Sequence, residues 1–136
     1  MSDARQTALA FLSAWAEGDT EVAGRYLAQD VTFESPRASL TGRAPVLAAM
    51  AEFAVAVTSI DVLAVTAEKD TAIVMYDMHT EPFGTIRAAE CCTVIEGLIT
   101  SDRLVFDTAL LGRERRAADR PDSRPATPTP TQTATS

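Results

Sequence analysis

Hydrophobic residues near the start of the chain recur at the spacing of an amphipathic helix. Ala8, Leu12 and Trp15 lie three or four positions apart, which places them on one face of a helix. Ser2-Asp3 can cap this helix, which is expected to run to about Glu17. The apolar stripe predicts that the helix packs on a core.

Two further helices are predicted in the first half of the chain. Gly18 ends the first helix, and Asp19 can cap a short second helix that reaches about Ala28. A third helix over about residues 43–57 is indicated by apolar residues at helical spacing, namely Val46, Met50, Phe53 and Val57.

Strand-like segments fill most of the chain from residue 59 to residue 110. A first strand is predicted earlier, over residues 31–35, and Pro36 ends it because proline has no N–H to donate. Successive hairpins form an antiparallel sheet, and helices that precede the sheet instead of alternating with its strands indicate the α+β class. The four later strands are predicted over residues 59–67, 71–80, 85–95 and 98–110.

The end of the chain has no hydrophobic periodicity. Four of the seven prolines lie in residues 121–130, among Thr, Ala and Ser. Such a segment has too few apolar side chains to offset the entropy lost on ordering. We therefore expect one folded domain over residues 1–111 and a disordered tail rich in Pro, Thr and Ala over residues 112–136.

Net charge argues against a nucleic-acid partner. The chain of 136 residues has a formal charge of −7, and residues 1–112 hold seven basic and sixteen acidic residues, a balance of −9. This field repels phosphate groups. No apolar run reaches membrane-spanning length and no secretory signal pattern is present, so we expect no membrane partner and a cytoplasmic protein.

The cysteine and histidine pattern gives no sign of a cofactor. Cys91 and Cys92 are adjacent, so on a strand they point to opposite faces and have neither disulfide geometry nor metal-binding spacing. We expect two strand thiols, at least one of them buried, with a redox role as the alternative. His79 is the only histidine, so no metal and no cofactor are expected.

The predicted strand over residues 71–80 carries the best pointer to a functional site. Asp77 and His79 lie two positions apart on it, so they share a face. With Phe83-Gly84 as a two-residue turn, Asp77 lies opposite Glu90 on the next strand. Two carboxylates and an imidazole on one apolar wall suit general acid–base chemistry, so Asp77, His79 and Glu90 are the candidate catalytic residues.

An ion-pair ladder is the alternative interpretation of the same residues. A tight turn at Glu96-Gly97 would place Glu90 opposite Arg103, which could neutralise Glu90 and Asp77 across three strands. His79 would then be a hydrogen-bonded structural residue. A register slip by one residue would move all of these side chains to the other face.

The order helix, helix, strand, helix and four strands resembles the nuclear transport factor 2-like superfamily. The similarity is greatest to SnoaL-like and limonene-epoxide-hydrolase-like proteins, and it covers nearly all of residues 5–110. It implies a cystatin-like cone of three N-terminal helices packed on a curved antiparallel sheet, with a hydrophobic pocket inside and a homodimer paired through the sheet. The motifs that carry it lie over residues 11–19, which end in Trp15-Ala16-Glu17-Gly18-Asp19, and over residues 27–36, 40–43, 96–99 and 105–107.

The catalytic residues of two related enzyme groups are not retained in this sequence. Ser35 stands where the resemblance to ketosteroid isomerases implies a base aspartate, and Leu104 stands where limonene-epoxide hydrolases have an aspartate on the last strand. Glu90 resembles the acid on the oxyanion side of the isomerases. Other places where the hydrolase residues are replaced are Thr32, Glu34, Met78 and Thr80.

Four further residues are candidates for substrate binding. Trp15 and Tyr26 belong to the predicted cone wall, either as structural residues or as ligand contacts. Glu34 lies at the cone mouth or on a solvated edge, and Arg103 faces the acids. We expect a cofactor-free isomerase, hydrolase or cyclase that acts on a small apolar molecule. The alternative is a non-catalytic ligand-binding or dimerisation module of the same fold.

Overall fold

The computed structural model describes residues 3–109, which form three helices and six strands. The predicted tail over residues 112–136 lies outside the described residues. The helices are α1 (Ala4–Ala16), α2 (Thr20–Gly24) and α3 (Arg43–Ala54). The strands are β1 (Leu27–Glu34), β2 (Ser39–Thr41), β3 (Val57–Glu68), β4 (Thr71–Thr80), β5 (Gly84–Ile95) and β6 (Leu98–Phe106).

A single curved sheet contains all six described strands, in the order β2-β1-β6-β5-β4-β3. Neighbouring strands are antiparallel except for β1 and β6, which pair in parallel. Helix α1 contacts β3, β4, β5 and β6, and α3 contacts β1 and β2. The α+β class is confirmed, and the three-helix arrangement holds in part, because α2 has only five residues. None of the described helices is long and apolar enough to cross a membrane.

The core lies between the helices and one face of the sheet, which we call the inner face. The predicted stripe of α1 is buried there. Side chains of β4 alternate between this face and the opposite, outer face, because successive residues of a strand point to opposite sides. The buried residues of β4 are Ala72, Val74, Tyr76, Met78 and Thr80.

Helix α2 ends earlier than its sequence pattern predicts. The prediction placed its end at Ala28, but the helix stops at Gly24 and β1 begins at Leu27. Leu27 pairs with Ile99 of β6, and the Tyr26 carbonyl accepts a hydrogen bond from the Ile99 N–H at 2.7 Å. Pairing with a distant strand therefore overrides the local helical preference.

Two other boundaries differ for the same reason. The predicted loop before α3 contains β2, in which Leu40 pairs with Phe33 of β1. Helix α3 ends at Ala54 and not at Val57, because Val57 begins β3 and pairs with Thr80 of β4. Strand pairing again decides where a helix ends.

The turn between β4 and β5 differs from the predicted two-residue turn. Thr80 pairs with Gly84, so that Asp77 lies opposite Arg87. The Thr80 hydroxyl donates to the Gly84 carbonyl at 2.7 Å and accepts from the Phe83 N–H at 3.1 Å. Gly84 adopts a φ of +73°, which glycine reaches without a Cβ clash. These contacts close a three-residue loop, a common hairpin connection.

This register shows that the predicted grouping of Asp77, His79 and Glu90 on one face is wrong. Glu90 lies opposite Val74 and is buried on the inner face. Asp77 and His79 lie on the outer face, with the exposed Met75. The register differs from the predicted one by an odd number of residues, and an odd shift exchanges the two faces of a strand.

The hairpin between β5 and β6 confirms the predicted turn but adds a β-bulge. Ile95 pairs with Leu98 across the turn, as predicted from the sequence. Thr100 is then an extra residue on β6, between Ile99 and Ser101, where the register shifts. A bulge of one residue moves every later side chain of its strand to the opposite face.

The bulge also contradicts the predicted ladder through Arg103. Arg103 lies opposite Cys91 on the outer face, so it does not face Glu90. Asp102 instead points to the inner face, where it lies opposite Cys92. The bulge therefore replaces a predicted cation with an acid in the core.

Candidate functional site

Four polar side chains meet at the centre of the inner face. Glu90 and Cys92 come from β5, Asp102 comes from β6, and Tyr76 comes from β4. Glu90 is 4% exposed and Asp102 is 0% exposed. We call Tyr76, Glu90, Cys92 and Asp102 the inner acid cluster. Ionisable groups this deeply buried are costly unless they are paired or neutralised.

Hydrogen bonds connect the members of the inner acid cluster. Tyr76 Oη donates to Glu90 Oε1 at 2.8 Å. Cys92 Sγ donates to Asp102 Oδ1 over a longer distance of 3.7 Å. Asp102 also lies close enough to Glu90 for the charge of Glu90 to raise the pKa of Asp102. Two ionised carboxylates offer only acceptors, so a hydrogen bond between these two groups would require a proton on one of them.

The electrostatics of the cluster favour the protonated form of Asp102. Burial raises the pKa of the Asp102 carboxyl well above its usual range, and the negative charge of Glu90 raises the pKa further. None of the basic residues in the described part of the chain is buried, so no cation compensates the pair. Glu90 and Asp102 therefore form a buried carboxyl pair in which the protonated form of Asp102 is favoured.

One polar atom of the cluster remains without a donor. Asp102 Oδ2 is buried and accepts no hydrogen bond from the described residues. A proton on Asp102 Oδ2 would make this atom a hydrogen-bond donor. The nearby Tyr76 hydroxyl also stays protonated, since burial and the charge of Glu90 raise the pKa of Tyr76.

The cluster suits protons better than a metal ion. The ligand atoms of Glu90, Cys92 and Asp102 lie within 4.8 Å of one another. Metal binding would require the thiol and both carboxyl groups to be deprotonated. Burial opposes this, because it raises the pKa of the Cys92 thiol and of the Asp102 carboxyl.

Asp77 lies in a separate ion pair on the outer face. Arg87 Nε and Nη2 donate to the two Asp77 carboxylate oxygens at 2.8 and 3.0 Å. This bidentate hydrogen bonding lowers the pKa of Asp77 below its usual value. A carboxylate that is firmly ionised and paired is a poor general base.

His79 also has its partners on the outer face. Its Nε2 lies 2.8 Å from Asp61 Oδ2, and its Nδ1 lies 3.0 Å from Thr85 Oγ1. The three residues come from adjacent strands, β3, β4 and β5. His79 is thus hydrogen-bonded across the sheet, which agrees with its interpretation as a structural residue and not with the ladder through Arg103.

The four candidate substrate-binding residues do not form one site. Trp15 is buried on α1, and Tyr26 is half-buried in the segment between α2 and β1. Glu34 and Arg103 are neighbours on β1 and β6, with Arg103 Nε 3.8 Å from Glu34 Oε1. Both of these side chains are mostly exposed, so their contact is a solvated surface pair.

Sequence reasoning named only Glu90 of the inner acid cluster as a site residue and missed Tyr76, Cys92 and Asp102. Tyr76 was overlooked because it lies between Met75 and Asp77. The predicted site lay on the face that Met75 and Asp77 share, and Tyr76 points to the opposite face. Asp102 was overlooked because the sequence predicts only the position of the turn and the alternation of side chains along the strand. Neither of these indicates the β-bulge at Thr100. A signal for Asp102 does exist in the sequence, since it is an acid within the apolar strand-like run that follows Gly97.

Comparison with known proteins agrees with this architecture. The chain resembles a crystal structure from Kribbella flavida DSM 17836 with 33% identity and a TM-score of 0.83, over 86% of this chain and 97% of that one. A nuclear transport factor 2-like protein from Cytophaga hutchinsonii ATCC 33406 has 22% identity and a TM-score of 0.72, over 82% and 96% of the two chains.

A second Kribbella flavida structure, provisionally assigned as a ketosteroid isomerase, has 21% identity and a TM-score of 0.70 over 78% of each chain. Among curated proteins, none matches. The class defined by the fold is a nuclear transport factor 2-like domain. The profile of the SnoaL-like domain matches residues 8–102, so the chain belongs to the SnoaL-like family. This membership supports a small-molecule-binding domain.

Proposed function

We propose that this SnoaL-like domain is a cofactor-free enzyme that transfers protons to and from a small apolar molecule. The observation that carries the proposal is the pair of buried carboxyl groups of Glu90 and Asp102, with no buried basic residue in the described part of the chain. Two interacting acids of this kind can supply an acid and a base in one site.

We assign each member of the pair a role. Asp102 holds the proton and acts as the general acid toward an oxygen atom of the substrate. Glu90 accepts a proton and is held in place by the hydrogen bond from Tyr76. The reaction classes that need such a pair are isomerisation, epoxide opening and cyclisation, each of which moves a proton at or beside an oxygen.

This assignment replaces the predicted triad of Asp77, His79 and Glu90. Only Glu90 of the three lies on the inner face, where the family resemblance expects the chemistry. Asp77 and His79 are each occupied by partners on the outer face. The inner acid cluster is therefore the better-supported centre.

The proposal can be tested with purified protein and two substrates of simple structure. A β,γ-unsaturated cyclic ketone reports isomerisation through the absorbance of its conjugated product, and a cyclic epoxide reports ring opening through diol formation. We expect turnover of at least one substrate, and a loss of about 100-fold or more in Glu90→Gln. Asp77→Asn is the matched control on the other face of the sheet and should keep full turnover.

Two outcomes would contradict the proposal. Full turnover by Glu90→Gln, with the fold confirmed by circular dichroism, would remove the base. A loss of turnover in Asp77→Asn but not in Glu90→Gln would return the site to the outer face.

A non-catalytic dimerisation module is the second candidate, and one observation favours it. Met75, Ala89 and Val105 lie side by side on three neighbouring strands of the outer face. Met75 is 42% exposed and Val105 is 60% exposed. Exposed apolar residues grouped in this way favour pairing with a second copy of the chain.

Light scattering tests this second candidate. We expect the mass of a homodimer for the natural chain and of a monomer for Met75→Lys, because a charge on the apolar row would have to be buried without a partner. Val55→Lys is the matched control, since Val55 is 88% exposed next to α3 and is not part of the sheet. A strict monomer of the natural chain would exclude the dimer.

A further inference from the structure

Trp15 is the only tryptophan of the chain, and α1 places it against the sheet. The residue is 5% exposed and belongs to the same core cluster as Tyr76 and Cys92. The indole thus lies in the layer between α1 and the inner face, which is also the layer that contains the carboxyl pair.

The indole N–H of Trp15 has no acceptor. Its Nε1 atom is buried and makes no hydrogen bond to the described residues. Buried side-chain polar atoms are nearly always paired, and a buried tryptophan N–H usually finds a partner. In the described part of the chain, Asp102 Oδ2 is the only other buried side-chain atom without a hydrogen-bond partner.

Packing alone does not explain an indole at this position. The neighbouring inward residues Phe11 and Leu12 fill the same layer without any polar atom. A buried donor without an acceptor weakens a core, whereas a purely apolar side chain would not. The donor is therefore better explained by an acceptor that arrives from outside the chain.

We infer that Trp15 is a ligand-binding residue whose indole N–H donates a hydrogen bond to an uncharged oxygen atom of the bound molecule. The indole can only donate, so the ligand must offer an acceptor such as a carbonyl, ether or epoxide oxygen. The buried acids of the same layer and the net charge of −7 disfavour an anionic ligand. The inference rests on one part of the proposed function, namely that a small molecule binds between α1 and the inner face.

Nitrogen-15 NMR offers a direct test, because one tryptophan gives one indole N–H resonance. The probes are cyclic ketones from cyclohexanone to 2-decalone, each paired with the hydrocarbon of the same ring skeleton. We expect the indole proton to move downfield at saturation with at least one ketone and to stay nearly unshifted with its hydrocarbon. No downfield movement with any ketone, or equal movement with ketone and hydrocarbon, would overturn the inference.

Substitution gives an independent readout. Trp15→Phe should weaken binding of the responding ketone by about tenfold, the size expected for one neutral hydrogen bond, and leave the hydrocarbon affinity unchanged. Replacement of the single tryptophan by β-(benzothiophen-3-yl)alanine keeps the two-ring shape and removes only the N–H, so it covers the case in which Trp15→Phe fails to fold. Unchanged ketone affinity in the benzothiophene protein would overturn the inference.

These measurements separate the inference from the proposed catalysis. If the protein binds ketones through Trp15 but turns over no substrate, the inference about Trp15 stands and the proposed catalysis is wrong. If turnover depends on Glu90 but no ketone shifts the Trp15 resonance, the proposed catalysis stands and the inference about Trp15 is wrong.

Discussion

Tyr76 donates a hydrogen bond to Glu90 across β4 and β5, at 2.8 Å between Oη and Oε1. Both side chains are almost completely buried, with Tyr76 0% and Glu90 4% exposed. A buried acceptor that loses its donor pays the full cost of desolvation, so this hydrogen bond stabilises the fold as well as orienting the acid. Tyr76 and Glu90 therefore belong both to the buried core and to the candidate site.

Tyr76→Phe tests the value of this hydrogen bond. The substitution keeps the ring and removes the donor to Glu90, so we expect the free energy of unfolding in urea to fall by about 1–3 kcal/mol at neutral pH. Tyr26→Phe is the matched control, because Tyr26 is only half-buried and its hydroxyl makes no hydrogen bond with the described residues. Equal losses in the two variants would contradict the special role of Tyr76.

The raised pKa of Asp102 predicts a pH dependence of stability. Above about pH 4 the unfolded chain ionises Asp102, while the folded chain keeps its proton. The unfolded state then binds fewer protons, so this group makes stability fall as pH rises, by up to about 1.4 kcal/mol per pH unit until the raised pKa is reached. Below about pH 4 both states are protonated and the effect vanishes.

Asp102→Asn should remove this dependence. Urea unfolding at several values between about pH 4 and pH 8 should show the stability of the variant rising relative to the natural chain as pH increases. The exposed Asp30 offers a control, since Asp30→Asn should give a curve parallel to that of the natural chain. Parallel curves for Asp102→Asn as well would show that Asp102 is not held protonated in the fold.

The ion pair between Asp77 and Arg87 predicts a low titration midpoint for Asp77. The pKa of this carboxyl is lowered by its hydrogen bonds from Arg87, so its contribution to stability is present above the ordinary pKa and is lost as pH falls through the lowered one. Carbon-13 NMR of the Asp77 carboxyl should give a midpoint below the ordinary value of about 3.9. Arg87→Met should raise that midpoint, and an unchanged midpoint would contradict the pairing.

The two adjacent cysteines should differ sharply in reactivity. Cys91 is half-buried on the outer face, whereas Cys92 is 1% exposed and its thiol pKa is raised by burial and by Asp102. Iodoacetamide followed by mass spectrometry should label Cys91 under native conditions and Cys92 only after unfolding. Cys91→Ser should therefore stay unlabelled until urea is added. Native labelling of Cys92 would contradict the assignment of faces.

The sequence by itself determined the elements and their class. The stripe of α1, the strand over residues 71–80 and the turn at Glu96-Gly97 all appear as predicted. Local signals suffice for these features, because helical spacing, alternation and a glycine turn act over a few neighbouring residues. Glu90 was also predicted from the sequence as a candidate catalytic residue, and it remains the candidate on the inner face.

Only the tertiary structure decided which side chains meet. The turn before Gly84 is fixed by the Thr80 hydroxyl and by contacts with α3, where Phe83 stacks on Phe53 with ring centroids 6.4 Å apart. The bulge at Thr100 moves Asp102 inward and Arg103 outward. Successive side chains of a strand point to opposite faces, so a register shift by an odd number of residues moves each side chain to the other face. No local sequence pattern indicates these two register shifts. Asp77 and His79 therefore lie on the opposite face from Glu90, and Asp102 is the acid that lies beside Glu90.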